Sequence, residues 1–136
     1  MPLLDTTVLI DIGKAGRTAD SVHARTLLNS KLAAGDTLYT SRLNEAEFRV
    51  GGVGDARAVR EMAKIDRVLA SMVILDFDAA AARKFAEVKA ALIKKGLRTG
   101  DMDVLIASIA IVKGLSLITR NVRHFKNIPS LHVETY

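Results

Sequence analysis

Short runs of apolar, often β-branched residues alternate along this chain with longer stretches in which apolar residues recur every three or four positions. The short runs predict strands at about residues 2–5, 38–40, 72–77, 115–119 and 132–136. The longer stretches predict helices, and the alternation favours an α/β protein with a mainly parallel sheet. No internal repeat or low-complexity tract interrupts the pattern. We therefore expect one domain that spans residues 1–136.

The predicted helices separate these strands. The first begins at Thr7, and the others cover about residues 18–34, 41–50, 55–70, 78–95 and 101–113, with a turn or short helix at 121–125. Ser41 is a favourable N-cap for its helix, and the glycines of GGVG (51–54) break that helix. The helix over 101–113 is apolar nearly all round, which predicts that it is buried. In the helix over 18–34, we expect four side chains to face inward: Val22, Leu27, Leu28 and Leu32.

Composition narrows the setting of the protein. Hydrophobic residues make up 49% of the chain but aromatic residues only 4%, and tryptophan is absent, so the core must consist of Leu, Ile, Val and Ala. The chain has no cysteine, which excludes disulfides and thiolate metal sites and suits a reducing cytoplasm. We find neither a signal-peptide pattern nor a run of roughly 18 apolar residues. We expect a cytoplasmic protein that does not enter a membrane.

The net charge of +5 favours a polyanionic partner, although an ordinary basic protein would carry the same charge. Neither a G-x-G-x-x-G fingerprint nor a Walker A sequence is present, which argues against a nucleotide-binding enzyme.

Several acids stand where a buried or strand-end residue is expected. Asp5 ends the first strand within LLDTTVLIDI (3–12), and Glu45 lies one turn into the helix after the second strand. Asp101 and Asp103 open the apolar helix, and Asn121 follows the strand that ends at Thr119. The carboxyl ends of parallel strands form the ligand crevice of α/β sheets, so we expect these side chains to meet there.

Each of these residues also has a structural interpretation. Asp5 could cap the helix that begins at Thr7, and Glu45 could form an ion pair with Arg49 at position i+4. Asp101 and Asp103 could stabilise the positive end of their helix. Asn121 is a common turn residue.

Periodicity argues for more than a helix-end role at Asp103, because that residue shares a face with Ile106, Ala107 and Ala110. A carboxylate on an inward face beside other acids needs a cation, and oxygen ligands suit Mg²⁺ or Mn²⁺. Apart from Asp5, Glu45, Asp101 and Asp103, 20 basic residues face 11 acidic ones. An acidic metal pocket within a basic surface is what a nuclease requires.

Four segments resemble, in order and spacing, the motif blocks of the PIN domain. They are DTTVLID (5–11), TSRLNEAEF (40–48), GDMDVLIASIAI (100–111) and LITRNVRHF (117–125). The likeness is greatest to the VapC-type toxins of toxin–antitoxin pairs. It implies a three-layer α/β/α sandwich with a mainly parallel central sheet. It also implies an endoribonuclease that uses Mg²⁺ or Mn²⁺ and an activated water to hydrolyse RNA phosphodiesters.

The resemblance assigns roles residue by residue. Asp5 matches the first acid, Glu45 the second and Asp103 the aspartate of the D-x-x-I-A block, while Asn121 matches a fourth position that carries Asp or Asn. These four would be the catalytic residues, and the metal ligands would be Asp5, Asp103, Glu45 and Asp101. Thr7 and Thr119 resemble supporting hydroxyls. His124 stands where many relatives have an acid.

The resemblance also implies partners. These are an RNA substrate, a cognate VapB-type antitoxin and a second copy of the chain in a homodimer. Candidate RNA contacts are Arg42, Arg49, Arg120 and Arg123, each of which could equally be an ordinary solvated arginine. Apolar residues of the 41–70 region could form an interface or antitoxin groove, with plain core as the alternative: Phe48, Val53, Met62, Ile65 and Leu69.

Two other functions stay open at this point. A catalytically silent PIN domain would bind RNA or a partner without cleaving it. A phosphoacceptor receiver domain also has acids and a hydroxyl at strand ends, and Asp76 could serve as its acceptor, but such a domain would leave Asp103 unexplained.

Overall fold

The structure, a computed structural model that describes residues 1–54 and 57–136, contains a five-stranded sheet with all strands parallel. The strands are β1 (Pro2–Leu4), β2 (Tyr39–Ser41), β3 (Val73–Leu75), β4 (Ser116–Ile118) and β5 (Val133–Glu134). Their order is β3-β2-β1-β4-β5, so β1 lies at the centre. The predicted α/β class and parallel sheet are confirmed. The strands at 72–77 and 132–136 are shorter than the apolar runs that predicted them.

Seven helices are present in the described residues: α1 (Thr6–Gly13), α2 (Ala19–Ala33), α3 (Arg42–Val50), α4 (Ala58–Leu69), α5 (Ala79–Lys94), α6 (Asp101–Lys113) and α7 (Val122–Phe125). The predicted start of the fourth helix, at residue 55, lies outside the described residues. Ser41 caps α3 as expected, because its hydroxyl accepts a hydrogen bond from the backbone N–H of Asn44 at 3.1 Å. None of the helices in the described residues is long and apolar enough to cross a membrane.

Two apolar cores cover the two faces of the sheet, which makes a three-layer sandwich. Successive strand residues point to opposite faces. Leu3 and Leu117 therefore pack with α5, α6 and α7, whereas Leu4 and Ile118 pack with α1, α2 and α4. Helix α6 is buried as its composition predicts, with all residues from Ile106 to Ala110 inaccessible or nearly so.

The predicted inward face of α2 is partly wrong. Val22 is 47% exposed and Leu32 is 50% exposed, although Leu28 is buried. The buried stripe instead consists of Ser21, Ala24 and Leu28, at the spacing of one helix face. Two of these side chains are small, which lets α2 lie close to its neighbour α1 and turns Val22 and Leu32 toward solvent.

Because the strands are parallel, their carboxyl ends meet at one edge of the sheet, where the next elements begin at once. Asp5 follows β1, Arg42 follows β2, and Thr119 follows β4. The backbone N–H of Asp5 donates to the carbonyl of Ile118 at 3.0 Å, which brings the ends of β1 and β4 into register. The predicted site residues are therefore carried by three adjacent strand ends and by α6.

Candidate active site

Asp5 is a buried carboxylate that neutral donors hold in place. Its side chain is 5% exposed, and Oδ2 accepts a hydrogen bond of 2.6 Å from the Thr119 hydroxyl. Oδ1 accepts one of 3.1 Å from the Asn44 side-chain amide. Asp5 precedes α1 but forms no side-chain cap with it, so the capping interpretation does not describe this residue. Both carboxylate oxygens are satisfied without any positive charge.

The two predicted supporting hydroxyls lie beside Asp5. The hydroxyls of Thr7 and Thr119 are 3.4 Å apart, and that of Thr7 is also 3.4 Å from Asp5 Oδ2. The backbone N–H of Arg120 donates to the Thr7 hydroxyl at 3.1 Å, and that of Asn121 donates to the Thr119 hydroxyl at 3.0 Å. The segment after β4 is thus joined to the start of α1 around Asp5.

Asp103 lies in the first turn of α6 with 26% of its side chain exposed. Burial raises its pKa; the nearby His124 works in the opposite direction, and the charge of Asp5 raises the pKa further. His124 Nδ1 lies 3.3 Å from Asp103 Oδ2. Asp103 and Asp5 are therefore close enough for their charges to interact.

Asp101 does not share this environment. Its side chain is 70% exposed and forms an ion pair with Lys89, with Nζ and Oδ1 separated by 2.8 Å. Successive positions on a helix project in different directions, and residues two apart do not share a face. The metal-ligand role predicted for Asp101 therefore has no support from its position.

Glu45 is buried on α3, but the structure does not bring it together with Asp5. Its carboxylate lies between two arginines, accepting a hydrogen bond from Arg42 and one of 3.0 Å from Arg49 Nε. Burial acts to raise the pKa of Glu45, but the two guanidinium groups outweigh it and hold the pKa below its usual value. The ion pair with Arg49 that the sequence left open is the arrangement that forms.

Glu47, two residues further on, is the α3 carboxylate that faces the other acids. Its Oε1 accepts a hydrogen bond of 2.7 Å from the Thr6 hydroxyl. Loss of solvation raises the pKa of Glu47; the Thr6 hydroxyl opposes this, and the charges of Asp5 and Asp103 raise the pKa further. The segment TSRLNEAEF contains two glutamates, and the resemblance had assigned the role to the first of them, Glu45.

Asn44 is a second site residue that the sequence pattern did not indicate. It is fully buried, and its amide donates to Asp5 and, at 3.1 Å, to the Thr6 hydroxyl. Its carbonyl oxygen accepts a hydrogen bond of 2.6 Å from the Ser41 hydroxyl. Asn44 and Glu47 are three residues apart and so share one face of α3. Asn44 lies three residues after the Ser41 cap and Glu47 six residues after it. This three-residue spacing is the signal in the sequence that could have identified both residues.

The fourth predicted position, Asn121, is exposed and joins the site through its backbone N–H. Three of the four arginines predicted to contact RNA are engaged elsewhere. Arg42 and Arg49 bind Glu45, and Arg120 binds Asp20 at 2.6 Å and lies 3.5 Å from Asp11. Arg123 is exposed and has no carboxylate partner among residues 1–54 and 57–136.

A family model of the PIN domain matches residues 3–131 of the chain. The chain belongs to the PIN domain family. Ribonuclease VapC2 of Rickettsia felis is 34% identical over 105 residues, which is 77% of this chain and 78% of that protein. A tRNA(fMet)-specific endonuclease VapC of Shigella flexneri is 34% identical over 134 residues, 98% and 96% of the two chains. The resemblance drawn from the four motif blocks is confirmed.

Solved structures agree with this PIN domain over nearly its whole length. VapBC2 from Rickettsia felis, bound to a DNA fragment from its promoter, matches with a TM-score of 0.84 and 30% identity, covering 99% of this chain and 98% of that one. DNA-bound VapBC from Salmonella typhimurium matches with a TM-score of 0.86 and 27% identity, covering 98% and 96%. The three-layer sandwich expected of the family is the fold that forms.

The acids of this PIN domain offer a donor set suited to a hard cation. In the parts of the chain that the structure describes, no three acidic or histidine side chains are already gathered closely enough to bind one metal ion. Asp5, Asp103 and Glu47 nevertheless carry only oxygen donors, and the charge of Asp5 raises the pKa of the other two. Carboxylates that repel one another at a strand-end crevice fit Mg²⁺ or Mn²⁺ in chemistry and in charge.

Proposed function

We propose that this PIN domain is a metal-dependent endoribonuclease and the toxin of a VapBC-type toxin–antitoxin pair. The observation that carries the proposal is the buried Asp5 carboxylate at the end of the central strand, within electrostatic range of Asp103 and Glu47. The likeness to two VapC nucleases, over 77% and 98% of the chain, supports it.

The residues that would hold the ion are Asp5, Asp103 and Glu47, with Glu47 in place of the predicted Glu45. A bound Mg²⁺ or Mn²⁺ supplies Lewis-acid chemistry, which lowers the pKa of coordinated water and offsets the charge of the scissile phosphate. Thr119 and Asn44 fix the orientation of Asp5. Asp103 and Glu47 reach solvent and have room to rotate toward Asp5.

The same two carboxylates are the candidates for the proton transfer. A general base must lie within hydrogen-bond reach of the proton that it accepts, and both Asp103 and Glu47 are accessible to solvent beside Asp5. Either could accept a proton from the water that attacks the phosphodiester. Arg123, which is free of carboxylate partners in the described residues, is the best placed of the four predicted arginines to contact the RNA backbone.

The partners follow from the relatives. The two solved neighbours named above are VapBC assemblies, so we propose a cognate VapB-type antitoxin. We also propose the toxin homodimer and the cytoplasmic setting that the sequence led us to expect. A cleft of about 790 Å³ between α1, α2 and α4 supports an antitoxin contact, since it combines apolar side chains with Arg25, Arg60 and Arg67. Three of the apolar residues considered earlier, Phe48, Ile65 and Leu69, are core residues instead.

The receiver alternative has no support here, since Asp76 is exposed and paired with Arg42 and the chain belongs to the PIN family. A silent PIN module is distinguished by experiment. Purified protein would be incubated with tRNA(fMet) and bulk tRNA in Mg²⁺, Mn²⁺ or EDTA. Asp103→Asn is the test variant, and Asp101→Asn is the matched control, because Asp101 lies on the same turn but pairs with Lys89.

We expect cleavage that needs the metal, falls by about 100-fold or more in Asp103→Asn and stays within a few-fold of wild type in Asp101→Asn. Equal cleavage by Asp103→Asn, or cleavage that persists in EDTA, would contradict the proposal. Binding of RNA without cleavage under any condition would establish the silent module.

A further inference from the structure

One histidine lies directly against the candidate metal site. His124 is on α7, and its Nδ1 is 3.3 Å from Asp103 Oδ2. The other two histidines, His23 and His132, lie outside this site: His23 is exposed on α2, and His132 contacts Glu134 beside β5. Among the described residues, His124 is therefore the only histidine at the candidate metal site, and the acid beside it is Asp103.

Helix α7 and its packing against the core hold the backbone of His124 in place. Its backbone N–H donates to the carbonyl of Asn121 at 3.0 Å, in the segment that also supports Thr119. The next residue, Phe125, is 1% exposed and belongs to the core formed with α6. Burial of Phe125 therefore holds α7 against α6, with His124 facing the first turn that carries Asp103.

The separation of the two donor atoms suits a shared ion. Octahedral divalent ions bind their ligands at about 2.1 Å, and two ligands at a right angle are then roughly 3.0 Å apart. Asp103 Oδ2 and His124 Nδ1 are 3.3 Å apart, so a small rotation brings both to one ion. The His124 side chain is 55% exposed, which leaves it room for that rotation.

We propose that His124 Nδ1 is a ligand of the divalent ion together with Asp103, so that the site combines one imidazole nitrogen with carboxylate oxygens. A nitrogen donor favours Mn²⁺ over Mg²⁺, because imidazole suits transition metals whereas Mg²⁺ prefers oxygen. This inference rests on the proposed metal-dependent function. It differs from that function in assigning a donor atom and a metal preference.

The deciding measurement is pulsed EPR of Mn²⁺ bound to the full-length protein, because this method detects ¹⁴N coupled to the ion. We expect ¹⁴N coupling in the wild type and in His132→Ala, whose histidine lies elsewhere, and loss of the coupling in His124→Ala. Circular dichroism would verify that each variant is folded, which the exposure of His124 favours.

Calorimetry with Mn²⁺ and Mg²⁺ supplies a second readout. His124→Ala should weaken Mn²⁺ binding by about tenfold or more and Mg²⁺ binding by less. His124→Asp, which restores an oxygen donor, should recover Mg²⁺ binding without the ¹⁴N signal.

The failures of the two proposals are distinguishable. Mn²⁺ that binds without ¹⁴N coupling in the wild type would overturn the role of His124 as a ligand, leave it a hydrogen-bond partner of Asp103, and leave the nuclease proposal standing. A wild-type protein that binds neither Mn²⁺ nor Mg²⁺ would overturn both.

Discussion

Two buried aspartates illustrate, at the scale of single residues, how partners determine what a carboxylate can do. Asp11 is fully buried and accepts a hydrogen bond of 2.6 Å from the Tyr136 hydroxyl, with Lys14 and Arg120 each 3.5 Å away. Its charge is offset within the protein. Among residues 1–54 and 57–136, the side chain of Asp5 has only threonine and asparagine side chains as direct partners. The proposed cation would therefore offset the charge of Asp5, whereas the charge of Asp11 already has basic partners in the protein.

The two glutamates of α3 should separate in the same way. Glu47→Gln should reduce RNA cleavage and Mn²⁺ affinity by about 100-fold, because it removes a carboxylate that interacts with Asp5 and Asp103. Glu45→Gln should leave Mn²⁺ affinity nearly unchanged and lower the free energy of unfolding by about 1 kcal/mol, because it weakens the pairs with two partly exposed arginines. Calorimetry and urea denaturation measure the two effects. Loss of metal binding in Glu45→Gln alone would restore the assignment made from the sequence.

Asp103 should reduce the stability of the metal-free protein. Its pKa is raised above 3.8 by burial, with Asp5 adding to the rise, so the folded state holds the proton more tightly than the unfolded state. The stability that protonated Asp103 contributes is complete when the pH is below the pKa of the unfolded state. It is lost as the pH rises through the pKa of the folded state. At pH 7, Asp103→Asn should therefore melt higher than wild type, by roughly 2–5 °C.

Adding Mg²⁺ to the same melting experiment provides a control. Mg²⁺ should raise the melting temperature of wild type but not of Asp103→Asn, because only the former binds the ion well. Thermal denaturation at pH 7 with Mg²⁺ or EDTA tests both statements. A variant that melts below wild type in EDTA would contradict the electrostatic argument.

At the scale of elements, α3 uses two of its faces for different purposes. One face carries Asn44 and Glu47 toward the end of β1, and another carries Glu45 between Arg42 and Arg49. The same arginines reach Asp76, beyond β3, and Asp66, on α4. This row of alternating charges ties α3 to its neighbours, so that Asn44 and Glu47 are presented at a fixed angle.

Helix α6 has to stop abruptly, because the next strand begins two residues after Gly114. Gly114 ends the helix with φ of 66°, in the left-handed region, and a Cβ at this position would meet nothing within 4 Å. Gly114→Ala should therefore lower the free energy of unfolding by about 1 kcal/mol through backbone strain alone.

A matched control for that variant exists at the end of α3. Gly51 also caps a helix, but with φ of −67°, which any residue adopts, and the nearest atom to its Cβ would be 3.7 Å away. Gly51→Ala should change stability little, as measured by urea denaturation. An equal loss in both variants would show that backbone conformation is not the cause.

At the scale of the whole molecule, the C-terminal segment is fastened to the first two helices. Tyr136 donates its hydroxyl hydrogen to Asp11 on α1, and Glu134 on β5 pairs with Lys31 on α2 at 2.9 Å. Arg120, beside the active site, lies within 3.5 Å of the same Asp11. Tyr136, the first helix and the segment behind Thr119 therefore meet at one buried carboxylate.

This arrangement predicts a response to alkaline pH. Burial, together with the hydrogen bond to Asp11, raises the pKa of Tyr136 well above 10.0. The stability that protonated Tyr136 contributes is complete when the pH is below the pKa of this tyrosine in the unfolded state. It is lost progressively as the pH rises from there toward the pKa of the folded state. In a Tyr39→Phe background, which leaves one tyrosine, phenolate absorbance should increase only as circular dichroism reports unfolding. A rise near pH 10 in a protein that is still folded would contradict this.

Tyr136→Phe tests the same contact at neutral pH. It should lower the free energy of unfolding by about 1.5–3 kcal/mol, because it leaves Oδ2 of the buried Asp11 carboxylate without its hydrogen-bond donor. Tyr39→Phe is the matched control, since it removes the other phenol hydroxyl without touching Asp11.

The sequence by itself determined the order of strands and helices, the burial of α6 and the position of Asp5 at a strand end. These features depend on periodicity and on neighbouring residues, which are local properties of the chain. It also carried the family resemblance, because the four motif blocks are short segments in a fixed order.

Only the tertiary structure decided which polar side chains meet. Asn44 binds Asp5 across 39 residues, Thr119 binds it across 114, and Tyr136 reaches Asp11 across 125. The choice between Glu45 and Glu47, the pairing of the arginines and the exposure of Val22 depend likewise on what packs beside each helix. Local sequence fixes which face a residue occupies, but the partner across that face comes from a distant part of the chain.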